Sequence, residues 1–249
     1  MIAGGQGAAM RLQVRMARAG VASRRECERL IRDGRVAVNG ERTTAMGVKV
    51  SDADTVAVDG RELAAPTATG RYLALNKPPG YLCANRGGHG RPLALELLPA
   101  PPEAPRLFHV GRLDLWSQGL ILYTSDGDFA LRASHPRYTV EKEYVVVADR
   151  IDVAHLQRHT GPAPPEGLAL ASFEALGDRR ARVTLTEGRN REVRRIFAGG
   201  QMRVRTLERQ RIGPVRLGRL ASGHWRDLSE EEVQWFLGRS AAAAPAGVR

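Results

Sequence analysis

Several residue types that mark whole classes of protein are scarce in this chain of 249 residues. Its two cysteines, Cys27 and Cys83, are too few and too scattered for a disulfide framework or a cysteine-based metal site. It contains no run of about 18 apolar residues, which argues against a membrane span. Its first residues lack the basic and apolar regions of a secretory signal, so we expect a cytoplasmic protein.

The motifs of nucleotide, metal and thiol chemistry are also missing. The Gly87–Gly90 segment lacks the lysine and hydroxyl residue that complete a phosphate-binding loop, and no dinucleotide fingerprint occurs. His89, His109 and His135 stand alone, without metal-ligand spacing or a nucleophile partner. We therefore predict no cofactor and no metal, and a chemistry that depends on carboxylate, arginine and aromatic side chains.

Acidic residues are in the minority, because 38 Lys and Arg stand against 27 Asp and Glu and give a net charge of +11. This excess predicts a polyanionic partner, most simply a nucleic acid. Residues 11–35 carry a net charge of +5 and residues 178–219 a net charge of +9. Two basic stretches on a near-neutral remainder favour two contact zones for one long polyanion, with a solvated charged face as the alternative for each.

Residues 11–63 are typical of a small unit in which helices precede strands. Ser23 and the glutamate three residues later form a capping pattern, which predicts a helix with Cys27, Leu30 and Ile31 on one side. Asn39-Gly40 then predicts a β-hairpin.

The rest of the chain predicts a linker at residues 64–70 and a larger domain over residues 71–238. Strands and helices mix there without a regular βαβ order, which favours an α+β fold. Residues 1–10 and 239–249 have little to bury, so we predict disordered ends. The predicted strands are Tyr72–Asn76, Gly119–Thr124, Glu143–Val147 and Ala181–Leu185, and the predicted helices are Asp128–Ser134, Asp152–Thr160 and Arg191–Ala198.

Two short motifs in the larger domain carry groups suited to chemistry. Gly111-Arg112-Leu113-Asp114 is a loop that leads into an apolar strand, and a carboxylate there is either presented to a ligand or caps a turn. Lys142-Glu143-Tyr144 starts another strand, where the tyrosine either packs on the sheet or stacks on a nucleobase.

A third motif, at residues 187–197, predicts a helix with two different faces. Val193, Ile196 and Phe197 share an apolar stripe, so this face docks on a core. Arg191, Arg194 and Arg195 share the other face through their i, i+3 and i+4 spacing. Such a row binds phosphates, lies in solvent, or turns one arginine inward to pair with a carboxylate.

Along the chain, the N-terminal unit is followed by Asn76-Lys77-Pro78-Pro79-Gly80 and then by these three motifs. This order resembles the RsuA/RluB-type family of bacterial ribosomal RNA pseudouridine synthases. The resemblance runs from about residue 11 to 236. It implies an N-terminal S4 RNA-binding domain, followed by a catalytic domain with a mixed, mostly antiparallel sheet flanked by helices. It also implies a reaction that isomerises uridine in RNA to pseudouridine and needs no cofactor.

The resemblance also implies roles for individual residues. Asp114 is the catalytic nucleophile, Tyr144 packs on the target uracil, and Arg194 pairs with Asp114 and favours its charged form. Three routes stay open for Asp114, namely attack at C1′, abstraction of the ribose 2′ proton and addition to C6 of the base. We assign RNA binding to basic residues of both domains: Arg15, Arg18, Arg24, Arg25, Arg29, Lys77, Arg112, Arg189, Arg191 and Arg195.

Two residues depart from the family pattern. Glu192 stands where glutamine is usual and adds a second acid near Asp114 unless it points away. Trp116 is bulky for its position two residues after Asp114, where it either fills core space or stacks on RNA.

We expect a monomeric enzyme that acts on ribosomal RNA or a subunit assembly intermediate, with 23S rRNA favoured over 16S rRNA. The alternatives are a non-catalytic RNA-binding or ribosome-assembly protein with the same fold, and a binder of DNA or another polyanion. The presence of Asp114, Tyr144 and Arg194 together favours the enzyme, since a pure binder has no use for a carboxylate in a phosphate-facing groove.

Overall fold

A computed structural model describes residues 9–63, 70–85, 90–99 and 107–240. The chain forms two compact units that meet in sequence between Gly70 and Arg71. The linker predicted at residues 64–70 lies outside the described residues except for Gly70. No helix among the described residues is long and apolar enough to span a membrane.

The described residues of the first unit form two helices and short strands. Ser23 Oγ accepts a hydrogen bond from the Glu26 N–H and begins the second helix, as the capping pattern predicts. Cys27, Leu30 and Ile31 are buried, so the predicted apolar side of that helix is confirmed. The elements are β1 Met10–Arg11, α1 Leu12–Arg18, α2 Arg24–Arg32, β2 Val36–Val38, β3 Glu41–Thr43, β4 Lys49–Val50, β5 Val56–Val58 and β6 Arg61–Glu62.

The strands of this unit are antiparallel in the order β3-β2-β5-β6, and β1 pairs with β4 separately. Asn39 and Gly40 have positive φ values of 52° and 83°, as a two-residue hairpin turn between β2 and β3 requires. Met10 differs from the prediction of a disordered start, because it pairs with Val50 across the β1–β4 ladder.

The second unit is built on a nine-stranded mixed sheet in the described residues, with the path β11-β12-β10-β13-β9-β7-β15. β14 pairs with β13 and β8 with β9, and among the strand pairs of the described residues only β13–β9 is parallel. The elements are β7 Tyr72–Lys77, β8 Phe108–Val110, β9 Gln118–Thr124, α3 Gly127–Ser134, β10 Lys142–Ala148, α4 Val153–Arg158, β11 Ser172–Ala175, β12 Arg180–Leu185, α5 Glu192–Gly199, β13 Val204–Ile212, β14 Val215–Arg216, β15 Trp225–Asp227 and α6 Glu230–Leu237.

Apolar side chains cover both faces of this sheet, which explains the continuous apolar run of β9. Ile121 and Tyr123 belong to one core with residues of α4 and α5, whereas Leu120 and Leu122 belong to a second core with residues of α3 and α6. A strand buried on both faces needs no polar alternation. The predicted α+β class with a mixed, mostly antiparallel sheet is confirmed.

Each strand and helix predicted in this unit is present, with boundaries that shift by one or two residues. The C-terminal end differs at Arg239, which we assigned to a disordered tail. Its guanidinium donates to the Tyr138 carbonyl at 2.8 Å and lies 4.4 Å from the Trp235 ring centroid. These contacts extend the ordered chain beyond α6.

Candidate active site

A carboxylate stands on the loop between β8 and β9. Gly111 begins this loop with a φ of 69°, and residues 114–117 form a tight turn in which the Ser117 N–H donates to the Asp114 carbonyl at 3.1 Å. The Asp114 side chain is 32% exposed. Because the strands on either side belong to one sheet, the turn presents this carboxylate from a rigid support.

Hydrogen bonds to the segment 77–83 fix the loop on its other side. The Gly80 N–H and Lys77 Nζ donate to the Leu115 carbonyl at 2.8 and 3.3 Å, and the Leu113 N–H donates to Cys83 Sγ at 3.4 Å. The residues before and after Asp114 are therefore both held by their backbones. A carboxylate on so constrained a loop needs little reorganisation to react.

Lys77 corrects one of our RNA-binding assignments. Its side chain is fully buried, and its ammonium donates to the carbonyls of Pro78 and Leu115. Burial lowers the pKa of Lys77 to about 8. A buried, internally bonded ammonium does not reach an RNA phosphate, so Lys77 supports the loop of Asp114 instead.

Two guanidinium groups from the start of α5 flank the carboxylate. Arg191 Nη1 lies 3.5 Å and Arg194 Nε 3.7 Å from Asp114 Oδ2. Arg194 Nη2 also donates to Ser117 Oγ at 3.3 Å, within the same turn. We predicted the pairing of Arg194 with Asp114 but assigned Arg191 to RNA binding, and the structure places both beside the carboxylate.

The two arginines differ in their exposure to solvent. The Arg191 side chain is 56% exposed, whereas that of Arg194 is 16% exposed. Burial lowers the pKa of Arg194, nearby Arg191 lowers it further, and Asp114 raises it. Arginine stays charged in proteins despite such shifts. Because solvent screens exposed pairs, Arg194 is the stronger electrostatic partner of the carboxylate.

Glu192, the unusual acid between these arginines, points away from solvent. It is buried, and its Oε2 accepts a hydrogen bond from the Arg189 N–H at 2.8 Å. Burial raises the pKa of Glu192. The glutamate therefore caps the turn that leads into α5, and the side-chain oxygen of a glutamine would accept the same hydrogen bond.

A pocket of about 260 Å³ opens next to Asp114. Tyr144, on β10, lines it and is 7% exposed. Arg209 Nη1 donates to the Tyr144 hydroxyl at 3.3 Å, and Arg209 Nε donates to the Leu120 carbonyl at 2.6 Å. Tyrosine, arginine and carboxylate thus surround one space large enough for a nucleobase.

Arg209 is a site residue that the sequence reasoning missed. It lies on β13 on the same side as buried Leu207. An arginine two residues after a core leucine in a strand therefore faces the core, and this spacing could have identified it in the sequence. Gly119 makes its position possible, because a Cβ there would lie 2.4 Å from the Arg209 carbonyl. The parallel β9–β13 contact therefore requires glycine at the end of the Asp114 loop.

Lys142 is a second missed residue, although its motif was singled out for Tyr144. It is buried and lines the pocket, and its Nζ donates to the carbonyls of Val140 and Thr186 at 2.9 and 3.3 Å. Burial lowers the pKa of Lys142 to about 8. It joins β10 to the chain that follows β12, below the pocket.

The remaining arginines assigned to RNA binding divide by exposure. Arg15 is 3% exposed and lies in the core of the first unit, so its assignment is wrong. Arg18 is half-buried, with Nη1 3.7 Å from Met10 Sδ. Arg29 and Arg195 are exposed and paired with Glu26 and Glu166. The other exposed members of the set are Arg24, Arg25, Arg112, Arg189 and Arg191.

Trp116 lies on the turn of Asp114 and is 69% exposed. The core-filling alternative for this residue is therefore wrong. No group of three or more His, Cys, Asp or Glu side chains in the described part of the chain is placed to hold a metal ion.

Comparisons with known proteins show the family of the chain and of its N-terminal domain. A family model described as RNA pseudouridylate synthase matches residues 71–199, and an S4 domain model matches residues 10–56. An uncharacterized RNA pseudouridine synthase of Aquifex aeolicus is 38% identical over 90% of this chain and 92% of its own. A ribosomal large subunit pseudouridine synthase B of Bacillus subtilis is 35% identical over 90% of this chain and 94% of its own.

A solved structure shares the fold across both units. The crystal structure of a pseudouridylate synthase superposes with a TM-score of 0.64 at 28% identity. The match covers 91% of this chain and 99% of that one.

Proposed function

Because the chain belongs to the RNA pseudouridylate synthase family and carries an S4 domain, we propose that it converts a uridine of ribosomal RNA to pseudouridine with Asp114 as the nucleophile. In this reaction the C1′–N1 bond of the uridine breaks, the uracil turns, and a C1′–C5 bond forms. C5 loses its proton and N1 gains one, so the atoms balance without a co-reactant.

The observation that carries this proposal is the placement of Asp114 between Arg191 and Arg194 at the edge of the pocket. The two guanidinium groups lie within about 4 Å of the carboxylate and balance its negative charge at the place where a reacting group has to stand. The two arginines also keep that charge compensated once the pocket closes on RNA and excludes water. A simple phosphate-binding groove gains nothing from a carboxylate at its centre.

Tyr144 and Arg209 support the role of the pocket as a uracil site. A target base has to leave its stack, at a cost of a few kcal/mol. Stacking on an aromatic ring returns about 1–3 kcal/mol of that cost. Arg209 holds the Tyr144 hydroxyl at 3.3 Å, so the ring is fixed before the base arrives.

Ribosomal RNA of the large subunit is the substrate that we favour. The Bacillus subtilis relative is named for the large subunit, and the match spans 94% of its length.

The first unit supplies further contacts for RNA. Arg24 and Arg25 on α2 are exposed and offer cations to RNA phosphates, although they are far along the chain from Asp114.

Carbodiimide mapping of rRNA tests the proposal. Cells that lack this protein should lose one reverse-transcription stop in 23S rRNA, and the wild-type gene should restore it. A gene with Asp114→Asn should not restore it, although the protein accumulates normally. An unchanged set of stops in 23S and 16S rRNA would reject the ribosomal substrate, and a stop lost only from 16S rRNA would move it to the small subunit.

A further inference from the structure

Trp116 is an exposed aromatic side chain on the same turn as Asp114. It lies two residues after Asp114, so their Cα atoms are no more than about 7 Å apart. Both belong to the tight turn closed by the Ser117 N–H and the Asp114 carbonyl. The indole is 69% exposed, against 37% and 38% for Trp225 and Trp235.

Hydrogen bonds fix the backbone next to Trp116. The Leu115 carbonyl accepts hydrogen bonds from the Gly80 N–H and Lys77 Nζ at 2.8 and 3.3 Å. The edge of the indole lies against Gly80, where an added Cβ would be 4.0 Å from Trp116 Cζ3. A large ring on a fixed backbone offers contact area with little loss of side-chain entropy on binding.

The exposed cations of the Asp114 loop and of the neighbouring helix favour RNA as the group that covers this ring. Exposed Arg112 precedes it in the same loop, and exposed Arg191 stands beside Asp114 on the neighbouring helix. An aromatic face among cations is the combination that binds single-stranded nucleic acid, in which the cations hold phosphates and the ring stacks on a base. A flipped uridine brings the nucleotides on either side to the rim of the pocket.

We propose that Trp116 forms a nucleobase-binding subsite that stacks on the base next to the target uridine. The inference rests on the proposed function, since it assumes that the uridine enters the pocket beside Asp114. The subsite selects RNA by the unpaired state of the neighbouring base and holds the substrate strand over the pocket. Trp116 touches the neighbouring base and takes no part in bond breaking.

A kinetic comparison tests the subsite. The full-length protein acts on the RNA fragment that contains the mapped uridine, and Trp116→Ala should raise KM about ten-fold with kcat within about two-fold. Trp116→Phe should restore KM to within about three-fold, because phenylalanine also stacks. Trp225→Ala on β15 is the control and should change neither constant. An unchanged KM in Trp116→Ala, or no rescue by phenylalanine, would overturn the proposal.

Removal of the neighbouring base sharpens the test. An abasic nucleotide on the correct side should raise KM for the wild-type protein but add nothing in Trp116→Ala, as expected for two halves of one contact. If an abasic nucleotide on either side of the uridine raised KM in Trp116→Ala as much as in the wild-type protein, that result would contradict stacking on Trp116. Wild-type protein that forms no pseudouridine at all would instead count against the proposed function.

A binding measurement decides the question without activity. In the Trp225→Phe/Trp235→Phe protein, Trp116 is the remaining tryptophan of the three in the chain. The same RNA fragment should quench its emission, and the fragment with the abasic neighbour should quench it less. Emission unchanged by saturating RNA would show that the indole is not covered by RNA and would reject the subsite, leaving a protein partner to cover it.

Discussion

The sheet beneath the pocket and helix α2 of the first unit both hold several cations, but they use them differently. Lys142 and Arg209, which line the pocket, and Lys77, which supports the Asp114 loop, are buried and donate to carbonyls or to the Tyr144 hydroxyl. Arg24 and Arg25 on α2 are exposed, and neither makes an ion pair with a described residue. Positive charge is therefore enclosed within the fold in one region and accessible to a polyanion in the other.

Arg194 lies between these two kinds of cation, since it is partly buried and faces a carboxylate. Buried cations act on geometry and charge at the reacting atoms, whereas exposed cations act on affinity and its salt dependence. Substitutions in the two regions should consequently separate kcat from RNA binding.

The largest effect is expected for Arg194→Ala. It should lower kcat by about 10²-fold or more, because it removes the better-buried charge that faces Asp114, and should leave RNA affinity within a few-fold. Single-turnover rates and RNA affinity of the purified protein give the two values. Arg195→Ala, one residue along and paired with Glu166, is the matched control with unchanged kcat. A loss of affinity alone in Arg194→Ala would make Arg194 a phosphate clamp.

Lys77→Met should change how stability depends on pH. The pKa of Lys77 falls from its ordinary 10.5 to about 8 in the folded protein. The unfolded chain therefore binds more protons at this lysine between those values, and folding gains stability as the pH rises through the window. Wild-type protein should gain up to about 1.4 kcal/mol per pH unit over Lys77→Met between pH 8 and 10.

Urea unfolding at several pH values measures that difference. Lys49→Met on β4 is the control, since Lys49 is exposed, and its curve should run parallel to that of the wild type. A parallel curve for Lys77→Met as well would show that the buried ammonium has no altered proton affinity.

A smaller effect is expected for the double variant Arg24→Ala/Arg25→Ala. RNA binding should weaken at every sequence, and the slope of log affinity against log salt should fall by about 1 for each lost phosphate contact. Turnover of bound RNA should not change. Arg35→Ala is the control, because Arg35 in the same unit is already paired with Asp59. A slope equal to that of the wild type would remove α2 from the RNA-binding surface.

Local patterns were enough to predict several elements of this fold, whereas the three site residues Asp114, Tyr144 and Arg194 were predicted from the family resemblance. The capping serine, the Asn39-Gly40 turn and the apolar stripe of α5 depend on neighbours within a few positions, and each is present. The motif order placed Asp114, Tyr144 and Arg194 in one family site, and the structure brings them around one pocket or turn.

Which cations are buried could not be predicted from the sequence. Lys77 and Arg15 look like any other basic residue, but tertiary packing encloses them. Arg209 lies among arginines of a basic stretch, and its inward register depends on the contact of β13 with β9 at Gly119. Such contacts join residues about 90 positions apart, which local periodicity does not report.

The most direct test of this account is Asp114→Asn, which keeps the shape of the side chain and removes its charge. Pseudouridine formation and RNA affinity are measured on the same purified protein with the mapped rRNA fragment. We expect a loss of more than about 10³-fold in the rate of pseudouridine formation, with RNA affinity within a few-fold of the wild type. Full activity in this variant would contradict it.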